Sequence, residues 1–371
     1  MKYEKHTVPF DESYLIAAGT DPGNVIYFDI ETTGLNADRS HIYLIGWAVR
    51  SADFALNGCW DTEQYLAESA AEERELLKLF SDTLRQYSVI VQFNGDLFDI
   101  PFVRKRCGVH SLEDPFSEST AIDLYKKLRP FKSLLGLTKL KQKSVEEFLN
   151  IQRRDPYNGG QLIDVYRLYR ENASIKDDMS PELLRTQKRR LDALLLHNYE
   201  DVLGMLSLTS LLSYSLLFPA KDIRMEEADV TDCIRVMYTL PVRVPVPVHD
   251  RNKLYELSVD GDEVCITIPY FRGTLKHYFS DWKNYFYLPE EDAAMHKSVA
   301  SFVDAGHREK AKADTAYVKK TSGFLPQKDA VFAPEFKRKR KDKISWFEPA
   351  KDLASDAESV NRWLQSLTGF A

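Results

Sequence analysis

The chain has 371 residues, of which 44% are hydrophobic and 29% are charged. This composition is typical of a globular protein and excludes a mainly disordered chain, and the length suffices for two domains. The formal net charge of −6 excludes a uniformly basic nucleic-acid-binding protein, while a local basic patch stays open. The four cysteines are far apart and form no C-x-x-C motif, which argues against a cysteine zinc site and a disulfide framework.

The predicted elements begin with a sheet. Three strands form a predicted meander: 25–30, 41–49 and 53–60. A helix at 61–87 and a short buried strand at 88–93 follow. From there to about residue 218 the pattern indicates mostly helix, most clearly at 144–150, 161–172 and 181–217. This order predicts an α/β domain with a mixed sheet flanked by helices.

Two further features concern location. No apolar segment follows the charged N-terminus, so we predict no secretory signal. The Leu-rich stretch 202–218 contains several Ser and Thr residues, which favours a buried core helix over a membrane span. Together with the cysteine usage, these features predict a cytoplasmic protein that does not bind membranes.

Beyond Pro219 the sequence becomes rich in β-branched residues at 230–248, and 254–268 alternates like a hairpin around Gly261. The predicted domains are an N-terminal arm at 1–24, the α/β domain at 25–218 and a β-rich α+β accessory domain at 219–371. Between residues 297 and 343, 13 Lys or Arg face 6 Asp or Glu, a local charge of +7. Basic residues among aromatic ones suit a nucleic-acid path, and an ordinary solvated face is the alternative.

The first group of carboxylates lies on the strand at 25–30 and just beyond it. Residues two apart on a strand share a face, so Asp29 and Glu31 project together from an apolar strand. Two such acids repel each other when buried, and a hard divalent cation removes that cost. The alternative is a strand edge where both acids meet solvent.

Two later segments supply further acids. Asp99 follows the strand that ends at Asn94-Gly95, where a helix N-cap is the alternative role. Asp96, in the turn, is the weaker ligand candidate. In a predicted helix, His197 and Asp201 lie four residues apart and therefore share a face. A surface His–Asp pair is the alternative there, but the apolar flanks favour packing against the sheet.

In this order, the motifs D-x-E-T-T-G-L, N-G-x-x-F-D-x-P and N-x-x-D resemble the DEDD superfamily of 3′–5′ exonucleases, which have the ribonuclease-H-like fold. The whole pattern is most similar to YprB-type ribonuclease-H-like proteins, relatives of the proofreading domain of family B DNA polymerases. The resemblance covers about residues 25 to 215. It implies four metal-binding catalytic acids: Asp29, Glu31, Asp99 and Asp201. Their formal charge of −4 would be neutralised by two Mg²⁺ or Mn²⁺ ions, a known arrangement for phosphodiester hydrolysis.

The resemblance also implies substrate contacts. Thr32 and Leu35 match positions that hold the terminal nucleotide, and Asn94 would support the site or contact the strand. His197 stands where one branch of the family has a tyrosine. An imidazole there would orient the attacking water or take its proton, and the sequence leaves both roles open.

The sequence thus predicts a metal-dependent 3′–5′ exonuclease that acts on the 3′ end of DNA or RNA, with DNA repair as the favoured context. One alternative is a catalytically silent nucleic-acid-binding module, although all four acids are present. Another is a subunit that partners a helicase or repair factor.

Overall fold

The computed structural model describes residues 1–173, 180–228 and 232–370. Within them the chain forms two compact units. The first comprises Met1–Ser215 with Val244–Val246, and the second comprises Leu216–Arg243 with Pro247–Ala371. Residues 230 and 231 of the predicted β-rich segment lie outside the described residues.

The first unit contains a six-stranded mixed sheet. Its strands are β1 (Lys2–Pro9), β2 (Val25–Thr32), β3 (Ile42–Arg50), β4 (Cys59–Leu66), β5 (Val89–Gln92) and β6 (Thr120–Asp123). They lie in the order β1-β4-β3-β2-β5-β6, and only the β2–β5 and β5–β6 pairs are parallel. Its helices are α1 (Ser13–Ala17), α2 (Phe54–Asn57), α3 (Glu73–Leu84), α4 (Asp99–Val109), α5 (Leu124–Leu128), α6 (Gln142–Phe148), α7 (Gly159–Ala173) and α8 (Pro181–Leu208). The predicted α/β class, with helices on a mixed sheet, is confirmed.

The strands of this sheet bury different side chains on their two faces. Ile26, Phe28 and Ile30 of β2 pack into one core cluster with apolar side chains of α3 and α4. Tyr43 and Leu44 of β3 belong to a second cluster with residues of α7 and α8. Helix α8 contacts β2, β3 and β4, so it covers the face that receives the odd-numbered residues of β2.

Several predicted elements differ from the structure. Residues 59–66, expected to end one strand and begin a helix, form β4, because alternate side chains from Trp60 to Leu66 are buried with a period of two. Residues 54–57 form the short helix α2 instead of a strand. The expected arm at 1–24 contributes β1, which pairs along its whole length with β4. Strand β6 lies within a region predicted as helix, where four residues are too few to produce a recognisable period.

Helix α8 begins at a recognisable cap. The Ser180 side chain accepts a hydrogen bond from the Leu183 amide, and Pro181 occupies the first turn, where its missing N–H has no partner to lose. Its C-terminal part is buried and continues into a 3-10 segment, Thr209–Leu216. Among the described residues, no helix combines the length and apolar character needed to cross a bilayer.

The second unit is rich in β-structure, as predicted. Its strands are β7 (Arg224–Ala228), β8 (Cys233–Thr239), β9 (Val248–Arg251), β10 (Glu256–Asp260), β11 (Glu263–Pro269), β12 (Phe271–Tyr278), β13 (Tyr285–Leu288), β14 (Ala293–His296), β15 (Glu309–Lys310), β16 (Tyr317–Gln327) and β17 (Ser345–Phe347). They form three sheets: β7-β8-β11-β10-β9, β12-β16-β17 and β14-β13-β15. The helices are α9 (Lys297–Ala300) and α10 (Ala357–Thr368). The expected hairpin is β10–β11, and Gly261 supplies the positive φ of its turn.

A buried carboxylate on α3 connects this helix with β3 and α4. Glu73 of α3 is 1% exposed. It accepts hydrogen bonds from the Ile42 amide of β3, from Arg106 of α4 and from His110 just beyond α4, at 2.5 to 2.8 Å. Because Arg106 is also buried, its positive charge is stabilised by the ion pair with Glu73.

We therefore expect Glu73→Gln to lower the free energy of unfolding by about 3–5 kcal/mol, the usual cost of leaving a buried charge unpaired. Chemical denaturation followed by circular dichroism measures the change. Glu75→Gln is the matched control, because Glu75 is exposed on the same helix and should change stability by less than about 0.5 kcal/mol. Equal effects of the two substitutions would contradict a structural role for the Glu73 network.

Candidate active site

The candidate site lies where β2 meets α8. Alternation along β2 sends Tyr27, Asp29 and Glu31 towards the helix while their neighbours enter the opposite core cluster. The Tyr27 hydroxyl is 2.7 Å from the Thr209 hydroxyl, just after the end of α8, which ties the strand to this end of the helical segment. Glu31 is buried and Asp29 is half-buried, so two carboxylates enter a largely apolar interface.

Helix α8 places three side chains beside these carboxylates: His197, Asn198 and Asp201. His197 Nε2 is 3.2 Å from Asp201 Oδ2 and 3.6 Å from Glu31 Oε1. The Asn198 amide donates a 2.8 Å hydrogen bond to Asp29 Oδ2. The close approach of Asn198 requires Gly46 on β3, since a Cβ atom at that position would lie 2.0 Å from the Asn198 Oδ1 atom.

Asp99 enters the same site from α4. It is the first residue of that helix, and Phe98 is the N-cap residue without a side-chain hydrogen bond, so Asp99 does not take the capping role considered above. Burial, together with the charges of Asp201 and Asp123, raises the pKa of Asp99 to about 7, and backbone amides offset this only in part.

The four acids lie close enough to interact electrostatically. Burial, followed by repulsion from Asp201, Asp99 and Glu31, raises the pKa of Asp29 well above its ordinary value. Burial and repulsion from Asp201 and Asp99 do the same for the pKa of Glu31. Asp99 and Asp201, from segments distant in sequence, therefore disfavour the ionised forms of the two β2 carboxylates. Glu31, His197 and Asp201 also form a cluster whose donor atoms all lie within 4.8 Å of one another.

A loop between α6 and α7 adds groups that the sequence analysis missed. Asp155 is buried and its Oδ2 atom lies 2.5 Å from His197 Nδ1. Arg153 Nη2 lies 2.6 Å from Asp201 Oδ1, and the same guanidinium pairs with Glu146 of α6. The irregular stretch 151–158 carries no periodic signal, and its role appears only through contacts with α8.

The residues expected to contact substrate lie at or just beyond the ends of the parallel strands β2 and β5. Thr32 is buried at the end of β2, and its hydroxyl donates to the Gly34 carbonyl, while Leu35 in the following turn is 85% exposed. Asn94, just after β5, has a positive φ of 63°, and its backbone amide donates a hydrogen bond to the Asp123 carboxylate. The Asp123 side chain also caps α5.

Asp96 lies two residues after Asn94, in the turn that follows β5, and contacts residues other than the four acids. Its carboxylate accepts from Gln92 at 2.9 Å and pairs with Lys126 at 2.5 Å. These contacts agree with the view that Asp96 is the weaker ligand candidate.

Comparison with known families addresses the fold directly. Residues 26–213, slightly more than half of the chain, match the RNase_H_2 family of the RNase_H superfamily. The chain belongs to the RNase_H superfamily. The matched segment contains β2 to β6 and α8, and thus all four acids of the pocket.

Three solved structures, each from a different organism, have low similarity to this chain. The family B DNA polymerase of the archaeon Pyrobaculum calidifontis is 14% identical, with a TM-score of 0.35 over 70% of this chain and 35% of the polymerase. NrnC of Brucella melitensis bound to pGG is 14% identical, with a TM-score of 0.25 over 51% and 81% of the two chains. Zinc-bound ExoI of E. coli with single-stranded DNA is 12% identical, with a TM-score of 0.30 over 64% and 54%. This chain therefore spans only about a third of the polymerase chain.

The raised pKa values predict how stability changes with pH when no cation is present. An aspartate in the unfolded chain ionises with a pKa of about 3.9, whereas Asp99 in the folded protein has a pKa of about 7. The folded protein therefore binds more protons between these values, and its free energy of unfolding should fall as the pH rises through this window. Each such group contributes up to about 1.4 kcal/mol per pH unit.

Denaturation in EDTA at a series of pH values from 4 to 8 measures this slope. Asp99→Asn should make it less steep, whereas Asp96→Asn, in the neighbouring turn, should leave it unchanged. A stability that rises with pH in the wild-type protein would contradict the electrostatic description of the pocket.

Proposed function

We propose that this protein is a metal-dependent 3′–5′ exonuclease of the DEDD type, related to YprB-type proteins. One observation carries the proposal: acids from β2, α4 and α8 converge, and burial followed by mutual repulsion raises the pKa of Asp29, Glu31 and Asp99. A structural role does not account for such an arrangement, because mutually repelling buried carboxylates destabilise the fold unless a cation neutralises them.

The donor atoms of the pocket fit divalent cations. Carboxylate oxygens are the ligands that Mg²⁺ and Mn²⁺ prefer, and a cation would offset the burial and repulsion that raise the pKa of Asp29 and Glu31. The residues that would hold two such ions are Asp29, Glu31, Asp99 and Asp201. Bound there, the ions would supply an activated water and stabilise charge on the leaving oxygen.

The surrounding residues have properties that suit a nucleic-acid 3′ end. Leu35 is the most exposed of them, and its side chain is free to wedge against a terminal base. The buried Thr32 hydroxyl already donates to Gly34, so it would accept a hydrogen bond from the terminal sugar. The backbone amide of Asn94 donates to Asp123, so the Asn94 side chain would contact the nucleic-acid strand or support the turn.

A silent nucleic-acid-binding module and a helicase-partnering subunit remain the competing functions. The sugar type of the substrate, a role in DNA repair and the cytoplasmic location remain predictions. An activity assay with DNA and RNA separates the first competing function from the proposed one.

We expect 5′-labelled single-stranded DNA or RNA to be shortened progressively from its 3′ end when Mg²⁺ or Mn²⁺ is added, and not in EDTA. Asp29→Asn should reduce the rate by at least about 10³-fold, because metal charge stabilisation amounts to several kcal/mol and about 1.4 kcal/mol is a factor of ten. Denaturing gel electrophoresis of the products measures both.

Asp96→Asn is the matched control and should retain activity, because Asp96 pairs with Gln92 and Lys126. Cleavage of circular single-stranded DNA would contradict an exonuclease. Binding of oligonucleotides without cleavage under any metal condition would instead support the silent module.

We also propose that the accessory domain binds nucleic acid through the run of five basic residues beginning at Lys337. Part of this run is engaged within its own unit: Lys337 pairs with Glu335, Arg340 approaches Asp314, and the Arg338 guanidinium lies 4.5 Å from the centre of the Phe271 ring. Lys339 and Lys341, and Lys343 just beyond the run, are exposed. These three lysines are therefore the best candidates for phosphate contacts.

Replacing Lys339, Lys341 and Lys343 with Gln should flatten the dependence of oligonucleotide binding on salt. Each lost phosphate contact should lower the log–log slope by about 0.7–0.9. The matched control replaces Lys337 and Arg340 with Gln and should change the slope less, because these side chains already have acidic neighbours. A fluorescence-anisotropy titration at several salt concentrations measures the slopes. Unchanged slopes in both variants would leave this surface as a solvated face or a protein-docking face.

A further inference from the structure

The most unusual group in the pocket is His197. Its Nε2 atom lies 3.2 Å from Asp201 Oδ2 and 3.6 Å from Glu31 Oε1. Ligand distances of about 2.1 Å place neighbouring donor atoms of one cation about 3.0–3.4 Å apart. The imidazole nitrogen thus lies at nearly the spacing of shared ligands from each carboxylate oxygen, and all three donor atoms lie within 4.8 Å of one another.

Asp155 determines which nitrogen of His197 faces the pocket. Its Oδ2 atom accepts from His197 Nδ1 at 2.5 Å and from the Lys143 ammonium at 3.1 Å, while its Oδ1 atom accepts from the Tyr157 amide. An ionised carboxylate only accepts hydrogen bonds, so Nδ1 must carry the proton. In the neutral ring, Nε2 then presents its lone pair to Glu31 and Asp201, as in the carboxylate–histidine–metal arrangements of metalloproteins.

The loop that carries Asp155 is fixed on α8 itself. Glu200 accepts hydrogen bonds from the backbone amides of Arg154 and Asp155, both at 3.0 Å. Next to them, Arg153 holds Asp201 Oδ1, so that Oδ2 is the oxygen turned towards His197. The imidazole and the carboxylate are therefore both oriented by residues outside the pocket.

We infer that His197 is a metal ligand through Nε2, together with Glu31 and Asp201, and that Asp155 is its positioning residue. This inference rests on the proposed metal-dependent function and replaces the water-handling roles considered from the sequence. It predicts a metal preference: an imidazole ligand should strengthen the binding of Mn²⁺ more than that of Mg²⁺, because Mn²⁺ is a first-row transition metal that accepts nitrogen as well as oxygen ligands, whereas Mg²⁺ keeps oxygen ligands and water.

Metal binding to the full chain tests the inference without an activity assay. Calorimetric titration should show that His197→Gln weakens Mn²⁺ binding by about 10–100-fold and Mg²⁺ binding much less. Asp155→Asn should weaken Mn²⁺ binding by about tenfold or more, the usual effect of losing the partner that orients a ligating histidine. The matched control is His110→Gln, which removes a histidine paired with the buried Glu73 outside the pocket and should leave Mn²⁺ affinity unchanged.

Pulsed electron paramagnetic resonance of wild-type protein with Mn²⁺ provides a second measurement that needs no variant. Coupling of the manganese electron spin to a ¹⁴N nucleus is expected, and it should vanish in His197→Gln. Absence of this coupling in the wild type, or equal losses of Mn²⁺ and Mg²⁺ affinity in His197→Gln, would overturn the inference. If the wild type binds neither cation, the proposed function itself fails.

Discussion

Repulsion among carboxylates that the fold holds in a largely buried pocket is the constraint on which the rest of this structure depends. Asp29 and Glu31 lie on the inner strand β2, where alternation directs both towards α8 and leaves Glu31 buried and Asp29 half-buried. Asp99 and Asp201 add charge from two helices, and burial together with this charge raises the pKa of Asp29 and Glu31. In the proposed function, a bound divalent cation would relieve this repulsion.

Residues around the pocket position its carboxylates and His197 through hydrogen bonds and ion pairs. Gly46 makes room for Asn198, whose amide satisfies one oxygen of Asp29. Glu200 draws the 153–155 loop onto α8, which brings a guanidinium to Asp201 and a carboxylate to His197. Helix α8 therefore supplies the pocket side chains His197 and Asp201, and Glu200, next to Asp201, anchors the loop that supports them.

Much of the fold and of the candidate pocket could be predicted from local pattern. A period of two on β2 placed Asp29 beside Glu31, and the spacing of four placed His197 beside Asp201, because both inferences need only the geometry of one element. Asp155 could not be found in this way, since its importance comes from a contact 42 residues along the chain. Strand β4 was missed because its polar inward residues, such as Gln64, satisfy partners on α8 instead of forming an apolar stripe.

The central claim is that the pocket between β2, α4 and α8 is a divalent-cation site. Crystals of the wild-type protein grown with Mn²⁺, measured at a wavelength where manganese scatters anomalously, test it most directly. The account predicts an anomalous peak between Glu31, Asp201 and the Nε2 atom of His197, with a second peak on the side of Asp99. A well-ordered pocket without anomalous density at millimolar Mn²⁺, with His197 still paired to Asp201, would contradict it.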